Sequence, residues 1–133
     1  MKVLIVLLFV IFFGSSYELR SDESQYLRIN QTDKKYIRGE KIFVRNCASC
    51  HSIDMDKIAT APALGGITKR REKRWLYKYT RNSLRMYKIG DAIAKELRDQ
   101  NWGLMPAFPN LSDDDLDATY YFVEKRYEIS LSK

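Results

Sequence analysis

The chain opens with an unbroken apolar run, Val3 to Phe13, set after Met1-Lys2 and closed by Gly14-Ser15-Ser16. As a helix these eleven residues span about 16 Å, roughly half the hydrocarbon core of a bilayer. A positive start, a short apolar stretch and small residues at its end are the anatomy of a secretory signal peptide. Gly14 and Ser16 suit positions −3 and −1 of a cleavage site before Tyr17; the alternative is an uncleaved anchor. No cysteine follows the run directly, which excludes a bacterial lipid anchor. Residues 17–32 are polar, mixed in charge and without a sustained apolar period, and they read as an arm or linker.

From Asp33 the pattern changes. Tyr36, Ile37, Ile42, Phe43 and Val44 recur with helical spacing up to Ala48, with Thr32 or Asp33 as cap. Gly39 interrupts that helix at a cost of about 1 kcal/mol relative to alanine, and such a glycine permits a close helix crossing. Ile53 to Thr68 reads as a loop punctuated by Pro62 and Gly65-Gly66. A second helix is expected over Arg71 to Asn82, with Trp75, Leu76 and Tyr79 on one side. A third runs from Ala92 to about Arg98, capped by Asp91. Asn101 to Leu111 is a loop containing Met105-Pro106 and Phe108-Pro109. Ser112 followed by Asp113-Asp114-Asp115 starts a last helix, with a hydroxyl cap and acids where the helix dipole favours them. It is expected to end near Tyr127, with Leu116, Tyr120, Phe122 and Val123 facing partly inward. Strand alternation is weak throughout. The expected organisation is a leader over 1–16, an arm over 17–32, a domain over 33–127 and a short tail over 128–133.

Composition narrows the chemistry. With 133 residues, 45% hydrophobic and 30% charged, the chain suits one small globular domain and excludes disorder throughout. It has two cysteines and one histidine, too few for a disulfide scaffold, a His-rich metal site or a four-thiolate cage. All three fall within Cys47-Ala48-Ser49-Cys50-His51.

The C-x-x-C-H spacing is that of covalent haem attachment. Each thiol adds across one vinyl group, two intervening residues let a single helical turn reach both vinyls, and the adjacent imidazole meets the iron from the same side. Three other readings compete. A thioredoxin-like pair uses C-x-x-C but needs a βαβ pattern, which is missing. Zinc needs a fourth ligand beyond these three. A disulfide from Cys47 to Cys50 closes a strained small loop and leaves His51 unexplained.

A haem iron has two axial positions, and a second histidine does not exist here. Methionine is the next candidate, because its soft thioether suits haem iron. Met1 lies in the leader, and Met55 stands too near His51 to reach the opposite haem face. Met105, in a proline-stiffened loop, is preferred to Met86 and to an open or lysine-ligated iron.

Together these residues resemble the class I monohaem c-type cytochromes, over about Asp33 to Lys125. The resemblance is carried by Gly39-Glu40-Lys41-Ile42-Phe43 ahead of Cys47-Ala48-Ser49-Cys50-His51. It continues through Ala61-Pro62-Ala63-Leu64-Gly65 and through Met105-Pro106-Ala107-Phe108 ahead of Leu111-Ser112-Asp113-Asp114-Asp115-Leu116. It implies an all-α, cytochrome c-like bundle of four to five short helices around one covalently bound haem c. It implies that Gly39 and Phe43 cross the last helix near Phe122. Pro62 would offer its carbonyl to the free ring nitrogen of His51. Trp75 matches a helix tryptophan near the haem in relatives, as a haem contact or as core packing. Ala61 stands where relatives often carry glycine.

The net charge of +6 is uneven: Lys69 to Arg98 holds eleven Lys/Arg against three Asp/Glu, and Asp99 to Lys133 three against seven. The densest run, Lys69 to Arg74, reads either as a solvated helix start or as a docking surface for an acidic redox protein or an anionic membrane. Nucleic acid is a poor partner for a secreted chain. The leading expectation is therefore an extracytoplasmic single-electron shuttle and not an enzyme, with His51 and Met105 as axial ligands, acting as a monomer. The alternatives are a small peroxidase-like haem enzyme or gas sensor with a labile or absent methionine ligand, and a permanent cytochrome c subunit of a respiratory complex.

Overall fold

The computed structural model describes residues 33–132. The expected leader (1–16) and arm (17–32) lie outside the described residues. Within them the chain is helical and contains no strand. The helices are α1 (33–46), α2 (Ile67–Arg70), α3 (Lys73–Lys88), α4 (Ala92–Asp99) and α5 (Asp113–Leu131). This is the all-α architecture that the sequence implies. No helix among the described residues is long and apolar enough to cross a membrane.

The crossing of α1 and α5 follows from Gly39. A Cβ placed there would stand 2.0 Å from the carbonyl oxygen of Ala118 and 2.8 Å from Cβ of Phe122. Hydrogen in place of a side chain lets the two backbones touch. One turn along, Phe43 packs its ring 5.4 Å from that of Phe122, and Tyr36 packs its ring 5.1 Å from it. Both tilted pairs have the geometry aromatic rings prefer. Phe43, Met55, Phe122 and Val123 form one buried cluster, and Leu76, Tyr77 and Leu116 form a second. Ile67 packs against both.

Several expected boundaries move. Ile37 and Val44 are 48% and 54% exposed, because the buried stripe of α1 is narrower than its apolar pattern. The loop from Ile53 ends at Gly66, whose φ of 65° suits glycine and starts the short α2. The helix expected over 71–82 begins at Lys73 and runs to Lys88, with non-helical backbone at Asn82. α4 starts at its expected cap: the Asp91 side chain accepts from the Ala94 N–H at 2.9 Å. Asn101, at φ 61°, follows its end, the left-handed position that asparagine tolerates after a helix.

Ser112 and Asp115 exchange side-chain and backbone hydrogen bonds and form a capping box at the start of α5. That helix continues past Tyr127 to Leu131, since Glu128-Ile129-Ser130-Leu131 contains no glycine or proline to stop it. α4 packs against α3, and α2 against α5.

Candidate functional site

A cavity of about 270 Å³ touches both apolar clusters. Its lining includes Cys47, Cys50, His51, Pro62, Trp75 and Met105. The structure thus gathers on one cavity all six side chains singled out in the sequence. Met55 and Met86 are not part of that lining; both are buried elsewhere.

The first wall is a helical turn that prolongs α1. Cys47 and Ala48 donate their N–H groups to the Phe43 carbonyl at 2.8 and 3.0 Å. Cys50 and His51 donate theirs to the Cys47 carbonyl at 3.1 and 2.9 Å. One turn therefore presents two unbridged thiols and an imidazole to the same space. The following loop is tied back onto this turn, because Ala61 N–H and the Thr60 hydroxyl both donate to the Cys50 carbonyl, at 3.0 and 3.3 Å.

That tie sets the Pro62 carbonyl 2.9 Å from Nδ1 of His51. A carbonyl only accepts, so Nδ1 carries the proton and Nε2 keeps its lone pair. Burial lowers the His51 pKa below its ordinary value, and the hydrogen bond to Pro62 opposes the shift without reversing it. The ring is neutral at neutral pH, the form a metal ligand needs. Cys47 is pushed up to about 11, first by burial and then by Cys50 beside it. A redox-active C-x-x-C cysteine is shifted the other way, so Cys47 does not suit a thioredoxin-like role.

The 102–108 loop also contributes to the lining, with Trp102, Met105 and Phe108. Trp75 stacks on Tyr79 with ring centroids 4.8 Å apart. Its Nε1–H donates to both carboxylate oxygens of Asp91 at 3.1 Å, the same residue that caps α4. It also packs against the second apolar cluster, so cavity lining and core packing coexist in Trp75.

Arg70, Arg71, Tyr79 and Trp102, to which the sequence assigns no place at the haem site, also line the cavity. The two arginines looked like part of a solvated run, and the aromatic residues carry no motif. Tyr120, expected to face partly inward, also lines it; burial pushes its phenol up to about 12, and its hydroxyl pairs with Thr80 at 2.7 Å.

The Lys69–Arg74 run is largely exposed, but part of its charge is paired. Lys69 lies 3.7 Å from Glu124, Lys73 lies 2.6 Å from Asp117, and Arg70 donates to the Gly65 carbonyl. Acids of α5 offset part of its charge.

A flat macrocycle bearing two vinyl groups and an iron calls for apolar walls, two adjacent thiols, an imidazole with a free Nε2 and a second, soft donor. The residues lining this cavity fit that group. The chain matches the family model described as Cytochrome c over residues 36–126. Among solved structures it is similar to cytochrome c from Rhodothermus marinus, at 24% identity and a TM-score of 0.63, covering 73% of this chain and 80% of that one. It is also similar to an engineered form of that cytochrome, at 26% identity and a TM-score of 0.60. The same engineered form bound to a carbene intermediate matches at 26% and 0.58; both alignments cover 72% of this chain and 80% of the other. A comparison with curated proteins finds no match.

Proposed function

The chain belongs to the cytochrome c family, and on that basis we propose that it is a single-electron carrier held in its working state by four side chains. Cys47 and Cys50 bind one haem c through thioethers, and His51 and Met105 are the axial ligands. Family and fold supply the coarser part, a covalently bound haem c and a role in electron transfer. The observation that carries the finer part is that Cys47, Cys50, His51 and Met105, from two distant segments, line one cavity.

When bound, the haem c supplies an iron that accepts and releases one electron. Each cysteine thiol would add across a vinyl group, its S–H bond and the vinyl π bond giving way to one S–C and one C–H bond with no net electron exchanged. Pro62 fixes the tautomer of His51 and makes it a more basic ligand. The Met105 thioether is neutral and soft, and Met/His ligation raises the potential. Trp75, held by Asp91, closes part of the wall. No acid, base or nucleophile is asked of the chain, and with two protein ligands the iron keeps no position for a substrate.

The test is binding of carbon monoxide to the reduced holoprotein. The native protein should bind it poorly and Met105→Ala should bind it readily. Fast binding to the native protein overturns the reading in favour of a haem enzyme or gas sensor.

The same reading extends to place and partner. A leader cut before Tyr17 and a covalently attached haem both suit an extracytoplasmic protein. The basic surface around Lys69–Arg74 suits an acidic redox partner, met transiently by a monomer; permanent docking in a respiratory complex is the alternative. Recovery of the native protein as a free monomer supports the shuttle, and recovery only within a complex overturns it.

A further inference from the structure

α3 is two helices joined at Asn82. That residue has φ −161° and ψ 81°, and its side-chain oxygen accepts from the Arg85 N–H at 2.9 Å. Asn82 thus ends one helix and caps the next. The residues around this junction bond to the loop that carries Met105. The Ser83 hydroxyl donates to the Met105 carbonyl at 2.6 Å. Phe108 N–H donates to the Thr80 carbonyl at 3.2 Å. Arg81 Nε–H donates to the Leu111 carbonyl at 2.9 Å, and its Nη2 pairs with Asp113.

The loop is therefore pinned at residues 105, 108 and 111 by one short stretch of α3. Ser83 is the innermost of these pins, at 1% exposure. A serine inside a helix often bonds back to a carbonyl of its own preceding turn. Ser83 instead crosses to Met105.

We propose that Ser83 is a positioning residue for Met105: by holding the Met105 carbonyl it keeps the thioether at the iron and resists opening of the sixth coordination position. The proposal rests on Met105 being the axial ligand. An outside ligand displaces the sulfur more readily when the loop is free to move away from α3. Losing the Ser83 bond removes about one hydrogen bond from the closed form, about 1 kcal/mol or a fivefold change in the closing equilibrium.

The experiment is a cyanide titration of the ferric holoprotein, followed by absorption in the red, where sulfur-ligated ferric haem has its own band. Ser83→Ala should bind cyanide about fivefold more tightly than the native protein and weaken the red band, while Ser83→Thr, which keeps the hydroxyl, should restore both. Met55→Ala, which loosens the core at a buried side chain that is not itself part of the cavity lining, should keep the native affinity. If Met105→Ala opens the iron but Ser83→Ala keeps the native affinity, the positioning role is overturned and the ligand reading stands. If Met105→Ala itself leaves cyanide binding unchanged, the ligand reading falls first. A rise in Met55→Ala equal to that in Ser83→Ala also overturns the proposal, since it makes the effect one of general stability. Should Ser83→Ala not mature, Ser83→Cys replaces it, with tighter cyanide binding in support and native affinity against.

Discussion

Gly39 meets the carbonyl of Ala118 so closely that a Cβ would stand 2.0 Å from its oxygen. The contact is backbone to backbone, so no rotamer change can relieve it. It fixes where α1 crosses α5, and thereby where the Cys47–His51 turn emerges over the cavity. Gly39→Ala is expected to destabilise the holoprotein by about 3 kcal/mol, at the upper end of overpacking costs, despite alanine's better helix propensity. Urea unfolding measures it; a loss below about 1 kcal/mol would mean that the helices can part without penalty.

Met55 and Met86 separate packing from ligation. Met55 is fully buried with Phe43, Phe122 and Val123, and Met86 is 6% exposed. Met55→Ala and Met86→Ala should each cost about 2–5 kcal/mol of stability and leave the absorption spectrum of the folded holoprotein unchanged. Met105→Ala should change the spectrum. A spectral change in either buried-core variant, with none in Met105→Ala, would reassign the axial ligand.

Asp115 ties stability to acid pH. Its carboxylate is held below the ordinary value of 3.8 by hydrogen bonds from Ser112 first and from Arg38 next, the latter at 2.7 Å. A group with a depressed folded pKa stabilises the fold above its unfolded value and loses that contribution as pH falls through the folded one. Native protein should therefore exceed Asp115→Asn in stability by a constant margin at pH above about 5. The margin should shrink as pH drops below about 4. A margin that persists unchanged to strongly acid pH would show that the carboxylate charge is irrelevant. Ser112→Ala, which removes the other half of the capping box, should cost about 1 kcal/mol.

Charge steering predicts a salt-dependent encounter. Electron exchange with an acidic redox partner should slow as ionic strength rises. Arg74→Glu should slow it further at low salt and flatten the dependence. Stopped-flow rates indifferent to both would remove the basic surface from the docking account.

How much of this was legible in the sequence depends on how local each signal is. The Cys47–His51 turn could be read because its three functional groups are contiguous, and chemistry dictates their spacing. Gly39 was legible because a glycine inside an apolar helix face has few explanations besides a close crossing; that Phe43 joins it against the last helix was implied by the resemblance to class I c-type cytochromes. The Asp91 and Ser112 caps were legible because capping is decided within three residues. The junction at Asn82 was legible only as an end: asparagine stops the helical pattern, but nothing local says that it also caps a continuation to Lys88. Ile37 and Val44 misled because apolar periodicity does not give the width of the buried stripe. The place of Arg70 and Arg71 on the cavity wall and the Ser83 bond to Met105 were not legible at all, since both arise only where distant segments meet in the folded chain.

The most direct test is the intact mass of the protein matured in a host that attaches haem, read beside its visible spectrum. The account predicts a gain of one haem that survives denaturation and disappears in the double variant Cys47→Ala/Cys50→Ala. A colourless native product with no added mass, or a haem that washes out on unfolding, would contradict it.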